Sequence, residues 1–236
     1  MKLSRCLAAL LLVCFSTGFM ASQSHENYSA LITIDGKQTH TYTVQFSQNG
    51  DTTKRVTSYF DSSKRLVRQE TTKFRANTLT LFANKIEDFR TGEFVWQTAS
   101  GNRYYAQRRE RTGSENEQKS ITADNAIVTT LVSERVAMSM EALDRGETVT
   151  FTLALPLRGI VTDMNLVKVS SETIGGIACS TIKLEPSNVI FRVMMGEPSL
   201  FTFERAKPHR FMQYKGILGL PTSEGKQQSG TVAIKY

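Results

Sequence analysis

The sequence predicts a mainly β protein of the α+β class: a curved antiparallel sheet or half-barrel of about a dozen strands, with one long helix packed on its concave face. The first observation is alternation, since apolar side chains occupy every second position of Val149–Leu155, as in a strand with one buried face. The second is that glycine, proline and asparagine repeatedly interrupt short β-branched and aromatic runs. The third is a single helical pattern, at residues 126–143.

Residues 1–22 have the composition of a secretory signal peptide, and residues 23–236 are predicted to form a single β-rich half-barrel domain. Lys2 and Arg5 precede an apolar run that is too short to span a bilayer, and small residues follow it. Two alternatives remain open: a retained membrane anchor, or acylation of Cys14, before which Val13 is unusually large. The predicted location is the periplasm of a Gram-negative envelope.

The first half of the chain predicts a meander in which each strand pairs with the one before it. Turn signals such as Asp35-Gly36 and Asn49-Gly50 separate the runs. The predicted strands are residues 28–34, 40–46, 54–60, 65–74, 78–82, 94–97 and 103–108. Residues 111–119 contain no apolar side chain, so we expect a polar loop there.

The helix is predicted over residues 126–143 because its apolar side chains recur at intervals of three and four. They are Ile127, Val128, Leu131, Val132, Val136, Met140 and Leu143. We expect Thr122 or Asp124 to cap its beginning and Gly146 to mark its end. The strands predicted after it are residues 148–155, 164–170, 177–184, 189–195, 199–204, 210–214 and 231–236.

The formal net charge is +7, of which Lys2 and Arg5 of the leader supply two. A moderately basic protein is suited to anionic membrane surfaces or acidic ligands. Loss of the leader would leave Cys179 as the one remaining cysteine, so no internal disulfide is expected. Cys179 lies within a predicted strand, where a small buried side chain is the expected role.

A cluster of arginines concentrates part of this charge around one predicted strand. It consists of Arg103, Arg108, Arg109 and Arg111. We expect a solvated strand end that runs into the polar loop. The alternative is a surface for an envelope protein or for anionic headgroups, with peripheral membrane contact. Nucleic acid is not an expected partner, because no recognised nucleic-acid module surrounds the cluster.

No catalytic or metal-binding motif is recognisable in the sequence. The three histidines are widely spaced and no pair of cysteines has metal spacing. Glu87 and Asp88 are adjacent on a strand, so they would point to opposite faces and would not converge as an acid and a base. The sequence therefore predicts a protein that is not an enzyme and that uses no metal or other cofactor.

Methionines of the helix and the late strands suggest a ligand site, because methionine adapts to flexible apolar molecules. The predicted lining is Leu131, Met138, Met140, Met194, Met195 and Met212. The alternative is that these side chains simply fill the core beneath the helix. The sequence does not distinguish between a filled core and an open groove.

Four short motifs resemble a group of uncharacterised exported bacterial proteins with a domain of unknown function. The motifs are Asp61-Ser-Ser-Lys-Arg-Leu-Val-Arg-Gln-Glu70, Phe89-Arg-Thr-Gly-Glu93, Lys183-Leu-Glu-Pro-Ser187 and Tyr214-Lys-Gly-Ile217. The predicted architecture is also similar to the half-barrels of the periplasmic lipoprotein carrier and its outer-membrane receptor. The likeness to those half-barrels implies acyl-chain binding on the concave face, and neither resemblance supplies a catalytic residue.

The leading hypothesis is a periplasmic, non-enzymatic protein that binds a lipid or another long apolar ligand between sheet and helix. Each methylene removed from water would contribute about 0.8 kcal/mol. The alternative is a structural or assembly factor of the envelope that acts through protein partners at the arginine cluster. An outer-membrane barrel ending in the alternation of residues 231–236, and a hydrolase built from scattered groups, are the remaining alternatives.

Overall fold

The structure is a computed structural model that describes residues 26–188, 198–222, 224 and 226–235. The predicted leader and the predicted strand at residues 189–195 lie outside this part of the chain. The strands are β1 Tyr28–Ile34, β2 Lys37–Asn49, β3 Thr52–Asp61, β4 Leu66–Arg75, β5 Thr80–Asp88, β6 Glu93–Ser100, β7 Arg103–Arg109, β8 Asn116–Thr122, β9 Ile127–Val128, β10 Val149–Leu155, β11 Ile160–Ile174, β12 Ile177–Pro186, β13 Ser199–Glu204, β14 Phe211–Ile217 and β15 Ser229–Lys235. The α-helix is α1 Val132–Asp144, and short 3-10 turns lie at Thr129–Leu131 and Pro156–Arg158.

The strands form one sheet in the order β8-β7-β6-β5-β4-β3-β2-β1-β15-β14-β13-β12-β11-β10-β9. Neighbouring strands are antiparallel throughout, except for the parallel pair of β9 and β10. The first and last strands of the chain pair in the middle of the sheet, where Ile32 lies opposite Val232. The predicted curved antiparallel sheet is confirmed, and its 15 strands exceed the predicted dozen.

The sheet curls until its two edges come close together. The edge strands β8 and β9 are joined by residues 123–126 alone, which limits the separation of Thr122 and Ile127 to about 18 Å. Lys119 Nζ donates a hydrogen bond to the carbonyl oxygen of Leu157 at 2.9 Å, and the Tyr104 hydroxyl donates to the carbonyl oxygen of Ala126. These contacts give the molecule the form of an incompletely closed barrel.

The helix packs inside this curve. Leu131, Met140 and Leu143 are fully buried in a core that draws side chains from both ends of the sheet order. Other members of this core are Phe74, Leu81, Tyr104, Phe151, Leu153, Met164, Leu166, Ile182 and Phe203. A helix that shares a core with strands so far apart lies on the concave face, so that prediction is confirmed. Among the described residues, no helix is both long enough and apolar enough to cross a bilayer.

The predicted beginning of the helix is wrong by six residues. Ile127 and Val128 pair with β10 as a two-residue parallel strand, and the 3-10 turn follows before α1 starts. Both side chains are β-branched and buried, so they fit the strand as well as the helical pattern. Neither predicted cap adjoins the helix, because Leu131 is its N-cap and provides no side-chain hydrogen bond. Gly146 follows its end with φ +86° and donates to the Leu143 carbonyl oxygen at 3.0 Å.

The predicted polar loop is also partly wrong. Its second half belongs to β8, an edge strand whose backbone pairs with β7 and places Ile121 opposite Tyr104. The side chains of β8 are almost all exposed, so no apolar alternation marks it in the sequence. An edge strand of this kind is held by its backbone hydrogen bonds and not by a buried face.

A second, smaller core lies under the first strands. Ala30, Ile32, Val44 and Val232 point inward there, and the connection between β14 and β15 covers them with Leu218 and Leu220. The barrel interior is therefore filled at two places, by the helix and by this connection.

Candidate ligand-binding site

A cleft of 510 Å³ opens where the helix, β10 and the turn between β4 and β5 meet. Sites for small molecules have volumes of about 300–1,000 Å³. The lining residues are Asn77, Thr78, Leu79, Asn125, Ile127, Arg135, Met138, Thr150, Phe151 and Thr152. This lining includes four apolar side chains and one positive charge and has no carboxylate.

The apolar part of the lining forms the floor of the cleft. Leu79, Ile127 and Phe151 are buried and belong to the core around the helix. Met138 stands beside them with 42% of its surface exposed. The cleft is therefore an apolar surface that the fold leaves partly open to water, next to a flexible thioether side chain.

Backbone conformation shapes the rim of the cleft. Asn125 has φ +51°, a left-handed conformation that asparagine adopts at low cost. Leu79 has φ +52°, which is uncommon for a leucine, and its side chain is buried in the core. The core contact holds this turn in shape, so that Asn77 and Thr78 stand exposed at the mouth.

Arg135 is the charged group of the cleft. It lies three residues before Met138 on α1, so both side chains project from the same side of the helix. Its guanidinium carbon lies 6.0 Å from the centroid of the Phe151 ring, within the range of a cation–π contact. Its Nε is buried and has no hydrogen-bond partner in the part of the chain that the structure describes.

The structure places the predicted ligand-lining residues in different surroundings. Leu131 and Met140 are 0% exposed in the core, as the filled-core alternative describes. Met138 lines the cleft, and Met212 is buried in β14, away from the cleft lining. Met194 and Met195 lie outside the described residues. A ligand role for this set stays a prediction, and of its described members Met138 alone lines the cleft.

The predicted arginine cluster is spread along β7 and beyond its end. Arg103 begins the strand and Arg109 ends it, so their Cα atoms are about 20 Å apart. Arg108 is paired with Glu93 at 3.0 Å and with Glu110 at 3.2 Å. The Arg109 side chain donates to the Gly92 carbonyl oxygen at 3.4 Å, while Arg103 and Arg111 are exposed. Contact of these arginines with a partner or headgroups stays a prediction.

The sequence reasoning missed a set of charged side chains on the inner face of the sheet. Arg55 on β3 is buried and donates to Glu134 of the helix, and its Nη2 donates to the Thr130 carbonyl oxygen at 2.6 Å. Glu70 lies 3.8 Å from the same guanidinium. Burial alone would lower the pKa of Arg55, but Glu134 and Glu70 outweigh it and raise the pKa above its ordinary value.

A second buried ion cluster forms around Asp88 at the end of β5. Its carboxylate is fully buried and accepts hydrogen bonds from Arg90 Nη2 at 2.5 Å and Nε at 3.1 Å. Arg68 Nη1 lies 3.5 Å from Asp88 and 2.8 Å from Glu93. Burial on its own would raise the pKa of Asp88, but the hydrogen bonds from Arg90 and the charge of Arg68 outweigh it and hold the pKa below its ordinary value.

In both clusters the carboxylates form ion pairs with arginines, which is an arrangement that holds strands and helix together. Glu87 points to the opposite side of β5, where it pairs with Lys85 at 2.9 Å. The sequence predicted this divergence of Glu87 and Asp88. Among the described residues, no three His, Cys, Asp or Glu side chains are grouped to hold a metal ion. Sequence distance hides such clusters, since Arg55 and Glu134 are 79 positions apart.

The chain is similar in structure to a beta-barrel-like protein of the domain of unknown function DUF1849 from Brucella abortus, solved as a crystal structure. The two chains share 11% sequence identity, and the TM-score is 0.47 over 89% of this chain and 93% of the other. No protein-family model matches the sequence. No curated protein matches it either.

Proposed function

We propose that this protein is a non-enzymatic binding protein of the periplasm that holds a long apolar ligand in the cleft between helix and sheet. The observation that carries the proposal is the buried floor of Leu79, Ile127 and Phe151, which opens to water beside Met138. An alkyl chain on this floor gains about 0.8 kcal/mol for each methylene that leaves water. No polar chemistry is needed for such binding.

The packing of the interior decides where the ligand lies. The helix face that includes Leu131 and Met140 is already fully buried against the sheet. A ligand between that face and the sheet would have to displace core side chains, and removal of a core methionine or leucine contact costs about 2–5 kcal/mol. The open cleft requires no such displacement. The ligand therefore lies at the edge of the helix–sheet interface.

Two methionines on one helix provide a test. The probe is N-phenyl-1-naphthylamine, a neutral fluorophore that brightens in apolar sites. We expect saturable binding to the wild-type protein, and binding about tenfold weaker to Met138→Glu, because a charge at the mouth must lose water when the probe enters. Met140→Ala should lower the stability by about 2–5 kcal/mol and leave the affinity of the folded fraction unchanged.

A matched control uses Ile217 at the end of β14. Its exposure of 43% is close to the 42% of Met138, and it is not part of the cleft lining. Ile217→Glu therefore introduces the same charge at an equally exposed apolar position elsewhere, and it should bind the probe like the wild type. Absence of saturable binding to the wild type, or equal weakening by both glutamates, would contradict the proposed function.

A further inference from the structure

We propose that the ligand of this cleft is an amphipathic carboxylate of the fatty-acid class and that Arg135 binds its carboxylate. The inference rests on the proposed function, because it names the chemical class of the ligand for the same cleft. It starts from one side chain whose hydrogen-bonding capacity the protein leaves unused.

Arg135 differs from the other arginines that are at least partly buried in the described chain. Each of those donates to an acceptor of the protein: Arg55 to Glu134, Arg68 to Glu93, Arg75 to Asp51, Arg90 to Asp88, Arg108 to Glu93, Arg109 to Gly92 and Arg210 to Glu204. Arg135 has no carboxylate within 4.0 Å among the described residues, although its Nε is buried. A partly buried charged donor without an acceptor carries an unrecovered cost of desolvation.

A carboxylate is the acceptor that best removes this cost. The Nε of Arg135 is buried, so a ligand would bind through the two Nη groups, which can form two parallel hydrogen bonds to a carboxylate. The guanidinium of Arg135, which has no acceptor in the described chain, therefore favours a two-oxygen anion over a single neutral acceptor such as an alcohol.

The remaining polar groups of the cleft agree with an anion. The hydroxyls of Thr150 and Thr152 donate to Asn165 and Asp163 on the neighbouring strand, at 2.9 Å and 2.8 Å. The exposed amides of Asn77 and Asn125 are left to donate at the mouth. With one guanidinium and no carboxylate in the lining, the cleft attracts a negative head group and repels a positive one.

The position of Arg135 over Phe151 links the charged and apolar parts of the site. The contact places the cation at the edge of the apolar floor, so a head group on Arg135 would leave its chain in contact with that floor. A single guanidinium matches the single charge of a carboxylate, whereas a phosphate monoester carries about 1.5–2 negative charges at pH 7. Both features fit an alkyl carboxylate.

The test compares head groups on one chain length. Dodecanoate, dodecanol and dodecyltrimethylammonium are each titrated against bound N-phenyl-1-naphthylamine at pH 8, the two ionic compounds below their micellar concentrations and dodecanol below its solubility limit. We expect dodecanoate to bind about tenfold more tightly than dodecanol, and the ammonium compound more weakly than both. In Arg135→Gln the preference for dodecanoate should disappear while the affinity for dodecanol stays the same.

Two further variants separate charge, geometry and folding. Arg135→Lys keeps the charge without the planar pair of donors, so it should show part of the preference. Arg145→Gln removes an exposed arginine just after the same helix, which is paired with Glu147, and should leave the preference unchanged. If Arg135→Gln does not fold, the head-group series on the wild type and on Arg135→Lys still decides the question.

The outcomes distinguish the two proposals. Equal displacement by dodecanoate and dodecanol would overturn the carboxylate inference and leave an apolar cleft without head-group selection. A preference that survives in Arg135→Gln would also overturn it, because another group would then bind the anion. If the fluorophore itself does not bind the wild type, the proposed function fails and the inference fails with it.

Discussion

The inner face of the sheet carries buried charged side chains. Arg55, Arg68 and Asp88 are buried, although arginine and aspartate are rarely buried unless they are paired. Each has an opposite charge within hydrogen-bond reach. Taking such groups out of water costs several kcal/mol per ion, so the pairs hold the fold together only while they stay complete.

Asp88 provides a prediction of pH dependence. Its pKa in the folded protein lies below its ordinary value, so its contribution to stability is present above the unfolded value of about 3.9 and is lost as the pH falls below that value through the folded pKa. We expect Asp88→Asn to lower the free energy of unfolding at pH 7 by about 1–3 kcal/mol. The difference from the wild type should shrink as the pH falls towards 3. Urea unfolding at several pH values measures it.

Glu87 is the matched control for Asp88. It is the preceding residue on β5, but its side chain lies on the other face and pairs with the half-exposed Lys85. Glu87→Gln should change the free energy of unfolding by no more than about 1 kcal/mol at neutral pH. A gap between wild type and Asp88→Asn that stayed constant down to pH 3 would show that Asp88 is not held ionised by its arginines.

The sequence could identify residue types but not their surroundings. Met138 and Met140 are two positions apart, which turns them by about 200° around a helix, so one faces the cleft and the other the core. Composition alone predicts the same for both methionines, either a ligand site or a filled core, because it carries no information about the direction of a side chain. Arg135 is not among the predicted site residues, because a lone arginine on a helix forms no recognisable sequence pattern. Its place in the cleft becomes visible only through its contact with Phe151 on β10, which is 16 positions away in the sequence.

Helix α1 is attached to the sheet in two different ways. Its apolar face packs against β10 to β13, and its charged Glu134 reaches across the interior to Arg55 on β3. Thr130, just before the helix, donates to Glu70 on β4. The polar contacts therefore add an attachment to β3 and β4 to the apolar packing of the helix.

Loss of the polar attachment should destabilise the whole protein. Glu134→Gln removes the charge that faces the buried Arg55, and breaking one side of a buried pair costs about 3–5 kcal/mol. We expect about 3 kcal/mol, at the lower end of that range, because glutamine still accepts a hydrogen bond. Chemical denaturation provides the measurement. Glu141→Gln on the exposed side of the same helix is the control, and it should leave the free energy of unfolding nearly unchanged.

A double replacement tests whether the pair acts through charge or through packing. Arg55→Met combined with Glu134→Leu removes both charges and keeps apolar volume, so it should recover much of the stability that Glu134→Gln loses. A double variant that is no more stable than Glu134→Gln would contradict the view that an unpaired buried charge causes the loss.

Elements with one apolar face were predictable, and elements without one were not. β1 was predicted at its observed boundaries because its inward positions Ala30 and Ile32 are apolar. β5 extends six residues beyond its predicted end, through Asn84 and Asp88, whose inward side chains are polar and obscure the alternation. β8 was missed because its side chains face water. Strand boundaries were therefore hardest to predict from the sequence where the inward or outward side chains give no apolar alternation.

At the scale of the whole molecule, two meanders meet along the pairing of β1 with β15. Ser29 and Lys235, which lie opposite each other there, are 206 positions apart in the chain. Val232 in the middle of β15 is buried between Ile32 on one side and Tyr214 on the other. This seam joins the half of the sheet that contains the ion clusters to the half that packs on the helix.

A charge in this seam should prevent the two halves from joining. Val232→Asp buries an unpaired carboxylate in the second core, so we expect a loss of more than about 4 kcal/mol, or failure to fold. Circular dichroism and size-exclusion chromatography measure the outcome. Ala233→Asp places the same group one residue later on the exposed face of the strand, and it should leave a folded protein. Equal damage from both variants would contradict this account of the seam.

The order in which a ribosome makes the strands gives the seam a further consequence. β1 and β15 are paired, but Ser29 and Lys235 are 206 positions apart, so one edge of β1 stays unpaired until β15 has been made. Such an edge is a site where another chain can add by strand pairing. Pairing over so long a stretch of chain is slow, because loop closure precedes the stabilising contacts. We therefore expect the newly made chain to be prone to aggregation until β15 pairs with β1.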